Sequence, residues 1–343
     1  MAEAESRRLA RLKPNLERRA LIYRLTRAFF QQQGFLEVET PVRVPEVAPE
    51  QYITPFASED WLLSTSPELH MKRLLASGYH NIFQFSRCFR KGERGRLHNP
   101  EFTLLEWYRT HAGYREMVSD TEQLIVTLAG KLKSGHHLHY QGHDIDLSLP
   151  WPRVTVREAF RHAAGWDPVT ALSPNCHCET ILPPIPVMSL RGVPTSRDDV
   201  AIPVSRYLER FDIDLITKVI PAFPPDRPTV LTDFPAALGS LARLKPGEPS
   251  VAERAEVFIG GLELTNAFSE LTDRAEQEKR FRKEIRQIRL QTGEKRTVPR
   301  KFLKALARLP ECGGIALGVD RLVMLFCDAA SIDEVMPFHA DNI

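Results

Sequence analysis

The sequence is short of several features that would decide its class outright. Its five cysteines, Cys88, Cys176, Cys178, Cys312 and Cys327, are odd in number and scattered, which does not suggest a disulfide framework. Only Cys176-His177-Cys178 forms a cluster, and no second ligand pair accompanies it at the spacing a structural zinc site wants, so no metal is expected there. There is no apolar run long enough to span a bilayer and no secretory pattern at the N-terminus, which excludes a helical membrane protein and makes the cytoplasm the default location. Charge of one sign is not in excess either. Lys and Arg total 46 against 44 Asp and Glu, a net +2, so bulk charge points to no particular partner. No internal repeat is visible.

What is present is a soluble globular composition. Of 343 residues, 43% are hydrophobic and 26% charged, enough to bury a large core. That length is long for one ordinary domain and short for three. Residues 15–34 carry apolar positions at helical spacing (Leu16, Ile22, Leu25, Phe29), with Asn15 expected as the cap after Pro14 and Gly34 as the stop. Phe35 to Glu39 alternate like a strand ending at Thr40-Pro41. Residues 82–108 predict two strands around a polar loop at 91–100. The first puts Gln84, Ser86, Cys88 and Arg90 on one face, and the second puts Phe102, Leu104, Glu106 and Tyr108 on one face. Residues 170–205 are rich in proline and lack periodicity, which marks an irregular insertion at about 170–210. Residues 253–271 predict a hairpin about Gly260-Gly261. Residues 274–309 predict basic helix, with twelve Lys/Arg against two Glu between Lys279 and Arg308. Gly314 to Leu317 predict a strand leading into a helix near Val319. Strands and helices do not alternate regularly, and the strands read as antiparallel, so the expected class is α+β.

Three places carry the means for chemistry. A two-residue turn at Gly260-Gly261 pairs Phe258 with Glu263. Period two then sets Glu256 and Glu263 on one side as diagonal neighbours, roughly 7–8 Å apart. Two carboxylates so placed can hold Mg2+ while phosphate oxygens complete its shell, although two solvated strand glutamates would read the same way. Arg90 ends a strand before a loop bearing Glu93, Arg96, His98 and Asn99. Its guanidinium suits a phosphate, and Phe102 across the loop can stack on a flat base; a surface hairpin with ordinary solvated charges is about as good a reading of that pattern alone. Gly318-Val319-Asp320-Arg321 places an arginine at a helix start, where the dipole is already positive, an arrangement that favours a nearby anion, although a plain strand-helix junction would read the same way.

Taken in order, these segments resemble the class II lysyl-tRNA synthetases. Phe35-Leu36-Glu37-Val38-Glu39-Thr40-Pro41 resembles motif 1 of that family. Phe89-Arg90 with His98-Asn99-Pro100-Glu101-Phe102-Thr103-Leu104-Leu105-Glu106-Trp107-Tyr108 resembles motif 2, and Gly313 to Leu322 resembles motif 3. Ser66 to Leu74 and Gly261 to Leu271 resemble segments specific to the lysine branch. The likeness covers most of residues 15–340 apart from about 170–210. It implies one α+β catalytic domain, an antiparallel sheet flanked by helices, and a homodimer formed through motif 1 near Pro41. No room is left before the motif 1 helix for the anticodon-reading OB barrel. The chain is therefore similar to the stand-alone branch that transfers (R)-β-lysine to a lysine of elongation factor P. Ser66, Ala316 and Trp107 follow that branch's pattern.

The resemblance also implies roles. ATP and Mg2+ would be the cofactors. Arg90 and Arg321 would be catalytic, and the nucleotide would meet Arg90, Lys91, Gly92, Glu93, His98, Asn99, Phe102, Glu263, Leu264, Gly318 and Arg321. Glu256 and Glu263 would hold the metal. Ser66, Pro67, Glu68, Glu106, Tyr108, Asn266, Phe268, Glu270 and Ala316 would form the amino-acid pocket. Lys91-Gly92 stand where the family has Asn-Glu, with Glu93 one place later. The competing readings are a truncated lysyl-tRNA synthetase, which would use the basic stretch 279–308 on tRNA, and a non-catalytic regulatory paralogue. The first is disfavoured because a solvated helix face explains that stretch, and the second because the ATP-site residues are all present.

Overall fold

The computed structural model describes residues 2–132, 135–173 and 204–341. Cys176-His177-Cys178 and most of the expected insertion lie outside them. A nine-stranded mixed sheet forms the body: β1 (Leu36–Glu37), β2 (Asn81–Phe89), β3 (Glu101–Thr110), β4 (Arg153–Thr155), β5 (Thr229–Pro235), β6 (Leu244–Lys245), β7 (Glu248–Ile259), β8 (Leu262–Ser269) and β9 (Cys312–Gly318). The order is β1-β2-β3-β9-β8-β7-β5-β4, with β6 on the side of β7. The helices are α1 (Ala2–Gln32), α2 (Glu68–Leu75), α3 (Tyr114–Lys131), α4 (Val156–Ala163), α5 (Pro168–Ala171), α6 (Val204–Asp214), α7 (Arg274–Thr292), α8 (Arg300–Leu306) and α9 (Val319–Cys327).

The sheet is not wholly antiparallel as the strand pattern suggested. From β2 across to β5 every pairing is antiparallel, but β1 on β2 and β4 on β5 are parallel. Short parallel edges need long crossovers, which the intervening helices supply.

Alternation along the strands divides the molecule into two faces. Phe83, Leu105, Trp107, Ala255, Val257, Ala267, Ile315 and Leu317 turn to one side. There they bury against α1, α3 and α9 through Phe30, Met117, Leu124 and Val323. Ile82 and Tyr108 turn to the other side and join Leu69, Met71, Phe281, Phe302 and Leu306 of α2, α7 and α8. Beyond them, α4, α5 and α6 cover Leu231, Phe234 and Phe258 with Phe160, Trp166, Tyr207 and Phe211. Fully burying side chains of this size contributes roughly 1.5–3 kcal/mol each before entropy is counted.

Two local expectations fail for tertiary reasons. Asn15 caps nothing, because α1 begins at Ala2 and carries Pro14 inside it. The missing proline N–H is offset by contacts with the C-terminal segment: Arg8 and Asn15 donate to the Pro337 and Glu334 carbonyls, and Arg18 to that of Phe326. The turn Gly260-Gly261 forms as expected, both residues at positive φ, with Ile259 opposite Leu262 and Phe258 opposite Glu263. Beyond it the register slips by one residue, so that Glu256 faces Asn266. Leu264 is the extra residue of this bulge, and its side chain is in the core.

Candidate active site

The bulge at Leu264 has a chemical consequence. Strict period two would put Glu263 and Asn266 on opposite faces of β8. With one residue inserted, Glu263, Asn266 and Phe268 all leave the α1/α3/α9 core to its own side, while Leu262, Leu264 and Ala267 bury in it. On β7 the same face carries Arg254 and Glu256. Arg254 donates from Nη2 to Glu256 Oε1 at 2.5 Å, from Nε to Asn266 Oδ1 at 3.1 Å and from Nη1 to the Leu238 carbonyl at 2.8 Å. Its guanidinium also lies 4.5 Å from the Phe234 ring centroid and 5.7 Å from that of Phe268. Sequence reasoning missed Arg254, although it stands two residues before Glu256 on one strand face and was findable by period two.

Residues expected to meet the nucleotide gather between the β2–β3 loop and the start of α9. Arg90 lies 5.1 Å from the Phe102 ring centroid and 3.7 Å from Glu93, and its Nε reaches the Thr65 carbonyl at 3.4 Å. Arg321 donates to the Glu263 carbonyl at 2.8 Å and stands 3.5 Å from its carboxylate. Its Nη2 meets His98 Nε2 at 2.6 Å, so that nitrogen accepts and the ring proton sits on Nδ1. Partial burial and the Arg321 charge hold the His98 pKa below its ordinary value, keeping the ring neutral. Lys91 and Gly92 are exposed at the loop tip, Gly92 at positive φ. The Asn99 amide donates to the Glu101 carbonyl and accepts from the Ala340 N–H, which holds the loop. Gly318 precedes α9 with only Arg321 carbons near the position a Cβ would take, the closest at 3.7 Å.

The residues expected to form the amino-acid pocket lie on and next to α2, β3, β8 and β9. Pro67 opens α2, and Glu68 is its first residue. The Ser66 hydroxyl donates to Glu106 Oε1 at 2.7 Å and accepts from the Glu68 N–H at 3.0 Å, while Tyr108 donates to Glu106 Oε2 at 2.9 Å. Lys72, one turn after Glu68, is buried and pairs with both Glu68 and Glu270 at 2.5 Å. Lys72 lay within the quoted lysine-branch segment but had no role assigned; its i+4 spacing from Glu68 was the available signal. Ala316 lies between Glu106 and Asn266 in the sheet register. A side chain at Gly314 would run into Glu270 and Tyr108, so this glycine is required by the approach of the pocket's own walls.

Burial sets the electrostatics. It raises the Glu106 carboxyl to about 7, helped by the Glu68 charge and opposed by the hydrogen bonds from Ser66 and Tyr108. Glu270 is also raised, by burial first; the Lys72 ammonium opposes this and the Glu68 and Glu106 charges add to it. For Lys72 burial works downward, but Glu270 and Glu68 hold the ammonium above its ordinary value. One cation thus serves several buried carboxyl groups, an acidic surplus that suits a cationic ligand.

Glu256 is buried and raised to about 7 by burial, with Arg254 opposing and the Glu263 charge adding to the rise. A divalent cation would remove that repulsion, so the pair fits Mg2+ whose remaining ligands are phosphate oxygens and water. Among the described residues no group of three or more His, Cys, Asp or Glu is arranged to hold a metal unaided.

The sequence matches the family of class II tRNA synthetases for D, K and N over residues 5–342. The elongation factor P–(R)-beta-lysine ligase of Hamiltonella defensa is 35% identical over 340 residues, covering 96% of this chain and 95% of that one. The corresponding ligase of Salmonella gallinarum is 34% identical over 340 residues, covering 96% of each. A lysine–tRNA ligase of Dehalococcoides mccartyi is 33% identical over 330 residues, 94% of this chain, which spans only 63% of that relative's length. With a sheet of this topology, the three motifs in order and a match that runs nearly end to end, the chain belongs to the class II tRNA synthetase family.

Proposed function

We propose that the protein activates (R)-β-lysine with ATP and transfers it to a lysine ε-amine of elongation factor P. The observation that carries this reading is the pocket wall made by Ser66, Glu106 and Ala316: a hydroxyl bonded to a buried carboxyl, beside a methyl on the neighbouring strand. It is supported by relatives of that name matching over nearly their whole length.

The substrate carboxylate attacks the α-phosphorus in line; the new C(O)–O–P bond forms as the bond to pyrophosphate breaks. Arg90 binds the α-phosphate and stabilises charge gathering on it, and Phe102 and Arg321 hold the adenine. Glu256 and Glu263 would hold Mg2+, which neutralises phosphate charge. Glu68, Glu106 and Glu270 receive the ammonium groups, Asn266 orients the carboxyl end, and Phe268 covers the methylene stem. The neutral acceptor amine then attacks the carbonyl carbon of the adenylate, loses a proton and releases AMP. The enzyme acts as a homodimer through α1 and the segment around Pro41.

Incubating the protein with ATP, Mg2+, (R)-β-lysine and elongation factor P, followed by intact-mass measurement of the factor, tests this. A gain of one β-lysyl group on one lysine is expected. An unmodified factor together with aminoacylated tRNA would instead favour the lysyl-tRNA synthetase reading.

A further inference from the structure

Arg254 on β7 touches two residues that the resemblance assigns to different ligands. Its Nη2 donates to Glu256 Oε1 at 2.5 Å and its Nε to Asn266 Oδ1 at 3.1 Å. The register explains the reach. Phe268 stands directly opposite Arg254 and Asn266 opposite Glu256, so Asn266 is a diagonal neighbour of the arginine. Other groups fix the guanidinium as well: Nη1 donates to the Leu238 carbonyl at 2.8 Å, and the central carbon lies 4.5 Å from the Phe234 ring centroid. Planar, always charged and bonded through all three nitrogens, it is a rigid brace rather than a free cation.

That brace settles the sense of the Asn266 carboxamide. An arginine has only N–H groups to offer, so the atom it meets must be the amide oxygen; the turned-over amide would set N–H against N–H. With Oδ1 held, the two N–H groups of Nδ2 are left over, and among the described residues they are donated to no protein acceptor. Asn266 is partly exposed on the site face, so these donors are open to a ligand. Donors alone suit a carboxylate, which only accepts, and not an ammonium, which only donates. Along the sheet the register runs from Asn266 through Ala316 to Glu106. Two strand spacings put Asn266 and Glu106 roughly 10 Å apart. The two ends of that line therefore differ in character, with donors at Asn266 and a carboxyl group at Glu106. We propose that Arg254 is a positioning residue for the substrate: by holding Asn266 Oδ1 it presents the Nδ2 donors to the substrate carboxylate, and so sets which way round the amino acid lies. This rests on the amino-acid activation proposed above.

Calorimetric binding of (R)-β-lysine and L-α-lysine, without ATP or Mg2+, isolates this role from that of Glu256. Arg254→Met keeps an unbranched stem and removes every donor. It is expected to bind the amino acid about tenfold more weakly than wild type, as loss of a hydrogen bond to a charged group would give. In an Asn266→Ala background the same change is expected to add almost nothing, since the amide it holds is gone. Pentane-1,4-diamine and pentane-1,5-diamine, which keep the two ammonium groups but have no carboxylate, are expected to bind wild type and Arg254→Met alike. A folded Arg254→Met with unchanged amino-acid Kd, an equal loss in the Asn266→Ala background, or an equal loss for the diamines overturns the proposal. If Arg254→Met does not fold, Arg254→Lys, which keeps the charge but not the fork, replaces it under the same expectations and the same contradictions. No binding of either amino acid to wild type overturns this proposal and the activation reading together. The expected binding pattern without ATP–pyrophosphate exchange sinks the activation reading alone.

Discussion

Ser66 and Ala316 approach the same carboxyl group from two elements. Ser66 donates to Glu106, and Ala316 is the register partner of Glu106 on β9. Replacing them together by Ala and Gly removes one hydroxyl and one methyl. A pocket change of that size moves substrate preference by roughly 10–100-fold. Exchange assays on Ser66→Ala/Ala316→Gly should show that shift toward L-α-lysine; an unchanged ratio would remove both residues from the specificity account. Gly314 is a sharper case. In Gly314→Ala the new methyl meets Glu270 and Tyr108, and overpacking of this kind costs about 1–3 kcal/mol. The variant should melt earlier and bind amino acid weakly, and a normal Kd would show that the walls can give way. Glu106 adds a pH dependence. Its folded-state value, about 7, lies above the ordinary carboxylate range. The stability it contributes to the free protein is therefore full below the unfolded value and lost as pH rises through about 7. A dicationic ligand prefers the ionised form, so binding releases a proton. Calorimetry in buffers of different ionisation enthalpy should record that release near pH 6, fading by about pH 8.5. Proton uptake, or a flat affinity, would contradict it.

At the scale of elements, α1 and α9 are tied by one buried ion pair that also reaches β3. Arg19 meets Asp320 at 2.7 Å, and Asp320 accepts from the Thr103 N–H of β3 at 2.9 Å, one residue from Phe102 and one from Arg321. Breaking such a pair from one side costs about 3–5 kcal/mol. Asp320→Ala should lower the melting temperature and raise the KM for ATP together; a rise in KM at unchanged stability would mean that Asp320 does not brace this corner. This bracing was not legible in the sequence, since Arg19 and Asp320 are separated by the whole chain. The paired strands β2 and β3 and the Gly260-Gly261 turn were legible, because alternation and turn chemistry act over a few residues. The start of α1 was misread for the opposite reason. Pro14 and Asn15 carry a local start signal, and contacts to the Phe326–Pro337 segment override it. The bulge at Leu264 was hidden as well: nothing local marks which residue a strand will leave unpaired, yet it decides that Glu263 and Asn266 serve one face.

For the molecule as a whole, the division of the sheet into a core face and a site face is the governing fact. The residues assigned by resemblance to the nucleotide and to the amino acid come from segments spread from Ser66 to Arg321, and the strand order sets side by side those on β3, β9 and β8. Arg254 and Lys72 join them, at recoverable strand and helix spacings. The basic stretch after Lys279 is partly spent inside the protein, Arg280 clamping the Ser240 and Ala242 carbonyls. That leaves less of it for nucleic acid than its count suggests. Among the described residues no helix is long and apolar enough to cross a membrane.

The proposed function turns on activation of a β-amino acid. ATP–pyrophosphate exchange with (R)-β-lysine and L-α-lysine side by side tests it most directly. A kcat/KM at least about tenfold higher for (R)-β-lysine is expected, a difference of about 1.4 kcal/mol. Equal rates, or a preference for L-α-lysine, would contradict it.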